Sequence, residues 1–131
     1  MELQIKIIGS LLMSLAWVHI FFPKYFNWKE DLKSLSLINR QMMIIHTVFI
    51  ALVVFLIGLL CFTSSEDLVL TNLGKKISLG LAIFWSIRLV IQFFGYSSKL
   101  WKGKLFETII HILFSLLWTY LSIIFWYNYL R

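Results

Sequence analysis

The sequence predicts an all-α protein, a transmembrane up-and-down four-helix bundle built as one domain from residues 1–131. Three observations predict it. The 131-residue chain is 60% hydrophobic and 14% charged, with a mean hydropathy of +0.87, which leaves too few polar residues to coat a soluble domain of this size. Its apolar residues gather in four runs, about 5–22, 42–62, 77–96 and 105–129, each near the ~20 residues that a helix needs to cross ~30 Å of hydrocarbon. Short connections join the runs, so consecutive helices become antiparallel neighbours. Lipid offers an open backbone no partner, which makes helices the spanning elements.

The first run is predicted to be a retained helix rather than a cleaved signal. Glu2 precedes it, Lys6 is its only early base, and no small-residue cleavage site follows. The connection after it, "PKYFNWKEDLKSLSLINRQ", is the longest. There Trp28, Leu32 and Leu35 recur at helical spacing among Lys29, Glu30, Asp31 and Lys33, a pattern that fits a short helix in the membrane interface or a solvated loop. Cys61, the single cysteine, provides neither a disulfide framework nor a thiolate metal site and reads as a packing residue.

Basic residues set the expected orientation. The first and third connections carry Lys24, Lys29, Lys33 and Arg40, then Lys99, Lys102 and Lys104; the opposite side has Lys6, Lys75, Lys76 and Arg131. The positive-inside rule puts the first two groups in the cytoplasm and both termini outside it, in what would be a bacterial inner membrane. The net charge of +6 then serves orientation and attraction to anionic headgroups, and nucleic acid is not an expected partner. Trp101, Trp126, Tyr127 and Tyr129 fit an interfacial aromatic belt.

Polar residues inside the runs single out a site. His19, His46, Arg88, Gln92, Glu107 and His111 all fall in the half of an up-and-down bundle assigned to the cytoplasm. Glu107, His111, Ser115, Thr119 and Ser122 share one stripe of the last helix, Trp85, Arg88 and Gln92 one of the third, and Asn39, Met43 and His46 one of the second. On the first helix Gly9 and Ala16 lead to His19. Small and polar stripes are expected to face other helices. Intramembrane ionisable groups are costly, so their convergence favours a function over pure scaffolding.

Three ligand chemistries fit these residue types. His19, His46, His111 and Glu107 supply donors for a transition metal, although no compact H-x-x-x-H or E-x-x-H signature is present and Arg88 would bring a positive charge. A b-type haem could take His46 and His111 as axial ligands with Arg88 near its propionates and Trp17, Trp85, Phe114 and Trp118 around it. Arg88, Gln92 and Glu107 could instead handle an anion or protons, holding a carboxylate, phosphate or quinone oxygen while His46 or His111 shuttles a proton. The structural alternative pairs Arg88 with Glu107. Acyl-transfer and nucleotide motifs are missing, and whether the chain is an enzyme stays open.

The runs "NRQMMIIHTVFIAL" and "FWSIRLVIQFFGYSSKLWKGKLFETIIHILFSLLWTYL" resemble small four-helix bacterial membrane proteins of unassigned function, a resemblance that implies the fold and carries no residue roles. The expected function is an accessory protein or subunit of a membrane assembly, in contact with the bilayer and other membrane subunits, whose His/Arg/Glu site binds a metal or haem or handles protons. Two alternatives stand beside it: a small membrane-embedded enzyme acting on a lipid, quinone or other amphipathic substrate, and a purely structural assembly partner.

Overall fold

The computed structural model describes residues 1–96, 98–100 and 102–131; Trp101, expected in the aromatic belt, lies outside the described residues. The elements are α1 (Glu2–His19), α2 (Phe22–Tyr25), α3 (Trp28–Asp31), α4 (Leu37–Thr63), α5 (Ser65–Leu70), α6 (Asn72–Phe94), a 3-10 turn (Ser98–Leu100) and α7 (Leu105–Leu130), with no strand among the described residues. They divide into two compact units, residues 2–65 and 66–131. Each contains an antiparallel pair of long helices.

Among the described residues, α4, α6 and α7 are long and apolar enough to cross a membrane. The expectation of four such helices is met in three. With 18 residues α1 is about 27 Å long at ~1.5 Å per residue, and Glu2, Gln4 and Lys6 make its first turns polar. Helices α4 and α6 also start earlier than their apolar runs, because capping rather than hydropathy decides where they begin. Ser36 caps α4 by accepting the Asn39 N–H at 3.4 Å, so the helix begins at Leu37, five residues before the expected start. Thr71 does more: its hydroxyl accepts the Gly74 N–H at 2.9 Å and donates to the Asp67 carbonyl at 2.7 Å, ending α5 and opening α6 with one side chain. Gly74 is required there, since a Cβ would overlap the Asp67 carbonyl and the Leu68 backbone.

The first connection departs from a continuous interfacial helix. Two single turns, α2 and α3, flank Asn27, whose φ of 54° breaks the helical path. Helix ends at Asp31, and Ser36 at ψ 156° sets a new axis for α4. Trp28 and Leu32 are half-buried, whereas Leu35 is exposed.

In the first unit α1 buries Ile5, Ile8, Gly9, Leu12, Leu15 and Ala16, one stripe at helical spacing. On α4 only Val54, Gly58 and Cys61 are buried, all in its C-terminal half. The helices touch backbone to backbone at the glycines. A Cβ on Gly9 would stand 2.6 Å from the Gly58 carbonyl oxygen, and one on Gly58 2.8 Å from that of Gly9. Such small-residue crossings are how apolar helices associate where lipid removes the hydrophobic driving force between them. In the second unit Gly74, Ser78, Ala82, Trp85 and Gln92 of α6 face Trp118, Leu121, Ser122, Phe125 and Asn128 of α7. Asn128 donates to the Leu68 carbonyl at 2.9 Å and to Ser78 Oγ at 2.7 Å, tying the end of α7 to α5 and α6.

Gly58→Ala is therefore expected to force α1 and α4 apart and lower stability by about 1–3 kcal/mol, the usual range for overpacking. Gly80, around which a Cβ meets nothing within 4 Å, provides the opposite case. Gly80→Ala should be neutral or stabilise α6 by up to about 1 kcal/mol. Thermal unfolding in one detergent reads both; equal losses from the two substitutions would contradict the glycine crossing.

Candidate functional site

Helical spacing brings three of the predicted site residues together in the second unit. Arg88 and Gln92 lie one turn apart on α6, and Gln92 faces His111 across the pair. The Gln92 amide, 7% exposed, is the centre of the group. Its Oε1 accepts from Arg88 Nη1 and from Trp118 Nε1, each at 3.3 Å, and its Nε2 lies 2.8 Å from His111 Nδ1.

These partners fix the proton positions. Arginine and tryptophan nitrogens only donate, so the amide oxygen must face them and the amide nitrogen must face the imidazole. His111 Nδ1 therefore accepts, and in this arrangement the ring is neutral with its hydrogen on Nε2. Gln92 works as a tautomer selector as well as a tie between helices.

Aromatic faces surround the guanidinium. Arg88 lies over the Trp118 ring at 5.0 Å and the Tyr96 ring at 5.5 Å. Trp118 stacks on Trp85 at 5.0 Å with 9° between planes and on Phe114 at 5.6 Å with 15°, and Phe93 meets His111 edge-on at 6.0 Å. Three of the aromatics expected around a haem thus pack on one another. Cation–π contact of this kind supplies about 0.5–2 kcal/mol, rising with desolvation. The Trp85 Nε1 is buried and has no hydrogen-bond partner among the described residues.

The pairing of Arg88 with Glu107 is not formed. The ion pair found among the described residues is Lys33 with Glu30, at 3.1 Å on the surface of the first unit. Glu107 is half-buried in the first turn of α7, where the helix dipole favours a carboxylate, and it makes no bond to Arg88. Of the hydroxyls in its stripe, Ser115, Thr119 and Ser122 donate back to the carbonyls of His111, Ser115 and Trp118 on α7 itself, at 2.8, 2.7 and 2.8 Å.

His19 and His46 belong to the first unit. His19 Nδ1 is 2.9 Å from the Leu15 carbonyl, an acceptor, so Nδ1 carries the hydrogen; the ring rests against Phe22 at 4.7 Å. His46 is on the exposed side of α4, and Trp17 is 62% exposed. Within either unit no three His, Cys, Asp or Glu side chains among the described residues converge as metal donors. The sequence reasoning did not foresee Trp118 and Tyr96 as the supports of Arg88. Seven residues separate Trp118 from His111, two turns along one face, and this is the signal that could have found it.

Replacing Gln92 tests this geometry. Gln92→Leu leaves the Trp118 and Arg88 donors without their acceptor and should destabilise the hairpin by about 1–3 kcal/mol. Gln92→Glu offers only acceptors, so the hydrogen of His111 should move to Nδ1. Nitrogen NMR of labelled histidine distinguishes the tautomers, and an unchanged Nε2–H form in Gln92→Glu would refute the assignment.

A scan against models of known protein families, a search of curated proteins and a search of solved structures each return no match for this chain.

Proposed function

We propose that this is an integral membrane protein, an accessory subunit of a membrane assembly, in which Arg88, Gln92 and His111 bind the oxygen-bearing headgroup of a membrane-borne ligand such as a carboxylate, a phosphate or a quinone carbonyl. In this reading the chain forms a four-helix transmembrane domain with its basic connections toward the cytoplasm. One observation carries the proposal. The Arg88 guanidinium rests on two ring faces and gives one hydrogen bond to Gln92, yet meets no carboxylate among the described residues.

A permanent cation amid apolar helices is unfavourable unless something compensates its charge. Ring quadrupoles compensate in part and orient the planar fork, leaving its other N–H groups for paired oxygens, the geometry in which arginine is strongest. Gln92 fixes the fork, and through it His111 stands one side chain away as a proton carrier. The site thus sets an oxygen-binding fork beside an imidazole that can give or take a proton, suited to a quinone or a carboxylate that changes protonation. The metal and haem readings draw on His19, His46, Glu107 and His111 from both units, and no observation within either unit favours them.

Decanoate and a short-tailed quinone, titrated into detergent-purified protein, test the proposal. Arg88→Gln should abolish binding of whichever probe is held, and Arg88→Lys, which keeps the charge without the fork, should weaken it by about 10- to 100-fold, the worth of a charge-assisted pair. If Arg88→Gln lowers thermal stability while both probes bind as before, the group is a structural lock. A visible spectrum and elemental analysis of the same sample decide the metal and haem readings.

A further inference from the structure

The glycine crossing of the first unit leaves a consequence at its other end. Helices α1 and α4 meet backbone to backbone at Gly9 and Gly58, and toward His19 and Ile44 an open groove of about 410 Å³ lies between them. Its volume lies in the ~300–1,000 Å³ range of ligand pockets. Ala16, Ile20, Trp28, Val48, Leu52 and Phe55 give it an almost wholly apolar wall. Along α4 the wall runs from Ile44 to Phe55, about 16 Å at ~1.5 Å per residue, which matches one leaflet, half of the ~30 Å hydrocarbon core.

Charge marks one end. Pro23 and Trp28, from α2 and α3, form the wall on that side, and beside them Lys24 and Lys29 are exposed without an ion-pair partner among the described residues. Arg40 follows at the start of α4, Lys33 is paired with Glu30 on the surface, and Asp31 is a further carboxylate of α3, so this connection stays net basic. His19, the last residue of α1, also lines the cavity; with its Nδ1 hydrogen committed to Leu15, its Nε2 can accept from a hydroxyl. Basic residues at the end of an apolar groove one leaflet deep select an anionic headgroup over a zwitterionic one.

We propose that this wedge is a binding site for an anionic glycerophospholipid, with an acyl chain between α1 and α4, the phosphate at Lys24 and Lys29, and a headgroup hydroxyl at His19. The lipid is a retained component that fills the gap the glycine crossing opens. The inference rests on the membrane reading of the chain and is independent of the ligand at Arg88.

Native mass spectrometry of the purified full chain, titrated with phosphatidylglycerol and with phosphatidylcholine of identical acyl chains, tests it. Phosphatidylglycerol should be retained preferentially, and Lys24→Gln and Lys29→Gln should each reduce that preference by about fivefold. Ala51→Phe, at a half-buried position on the wall, should cut retention of both lipids at least about tenfold while circular dichroism shows unchanged helix. Equal retention of the two lipids by the unaltered protein, or unchanged retention in Ala51→Phe, would overturn the proposal. So would a photo-reactive group at Val48 that labels protein, in the same chain or a second copy, instead of lipid in phosphatidylglycerol vesicles.

Discussion

A polar group on an apolar helix is costly unless its own helix or the one packed beside it satisfies it, and this constraint orders most of the structure; Trp85 Nε1 and Asn128 Oδ1 are buried atoms left without a partner among the described residues. Hydrocarbon contributes no donor or acceptor, so an orphaned group keeps its full desolvation penalty. The hydroxyls of Ser14, Thr47, Thr63, Ser115, Thr119 and Ser122 all turn back onto carbonyls of their own helices, and His19 does the same through Nδ1. Groups too large or too rich in donors for that solution become the ties between helices. Gln92 and Asn128 are these cases: Gln92 uses both ends of its amide, and Asn128 its amide nitrogen, on partners from another element.

The same constraint explains which parts of the structure were legible in the sequence. Apolar runs announced the long helices, and the step of four from Arg88 to Gln92 put both on one face. The choice of partner was less legible. Opposite charge suggested Glu107 for Arg88, but charge says nothing of where a guanidinium can lie flat, and Trp118 offers a face that Glu107 cannot. The helix starts were hidden for a related reason: hydropathy follows residue composition, whereas Ser36 and Thr71 open helices through single hydrogen bonds that leave no trace in an average. Helical spacing also placed Ser115 and Thr119 on an inward stripe without showing that a hydroxyl can satisfy itself locally.

The histidines show why a shared layer in a predicted bundle is a weak basis for a shared site. His19, His46 and His111 carry the same ring in three settings: bonded to a carbonyl through Nδ1, exposed on the side of α4, and accepting from an amide through Nδ1. A metal centre needs neutral nitrogens aimed at one point. Each hydrogen bond that selects a tautomer instead commits one nitrogen and aims the other, so these local bonds decide what each ring can do before any larger arrangement matters.

Packing and binding capacity are linked most directly in the first hairpin. Two straight helices that touch at backbone distance near one end and cross at any angle must separate toward the other, and the separation grows with the length left over. Gly9 and Gly58 set the contact late along α4, leaving its N-terminal half without a buried residue. Side chains from α1 leave the gap open: Ala16 is small, and Trp17 lines the gap while staying 62% exposed. Filling would rigidify the hairpin, and an unfilled apolar gap forfeits the dispersion contacts of its lining. A chain that keeps small residues at the wide end of such a wedge keeps a volume that its surroundings must occupy, and the lysines of the adjoining turns bias which molecule does so.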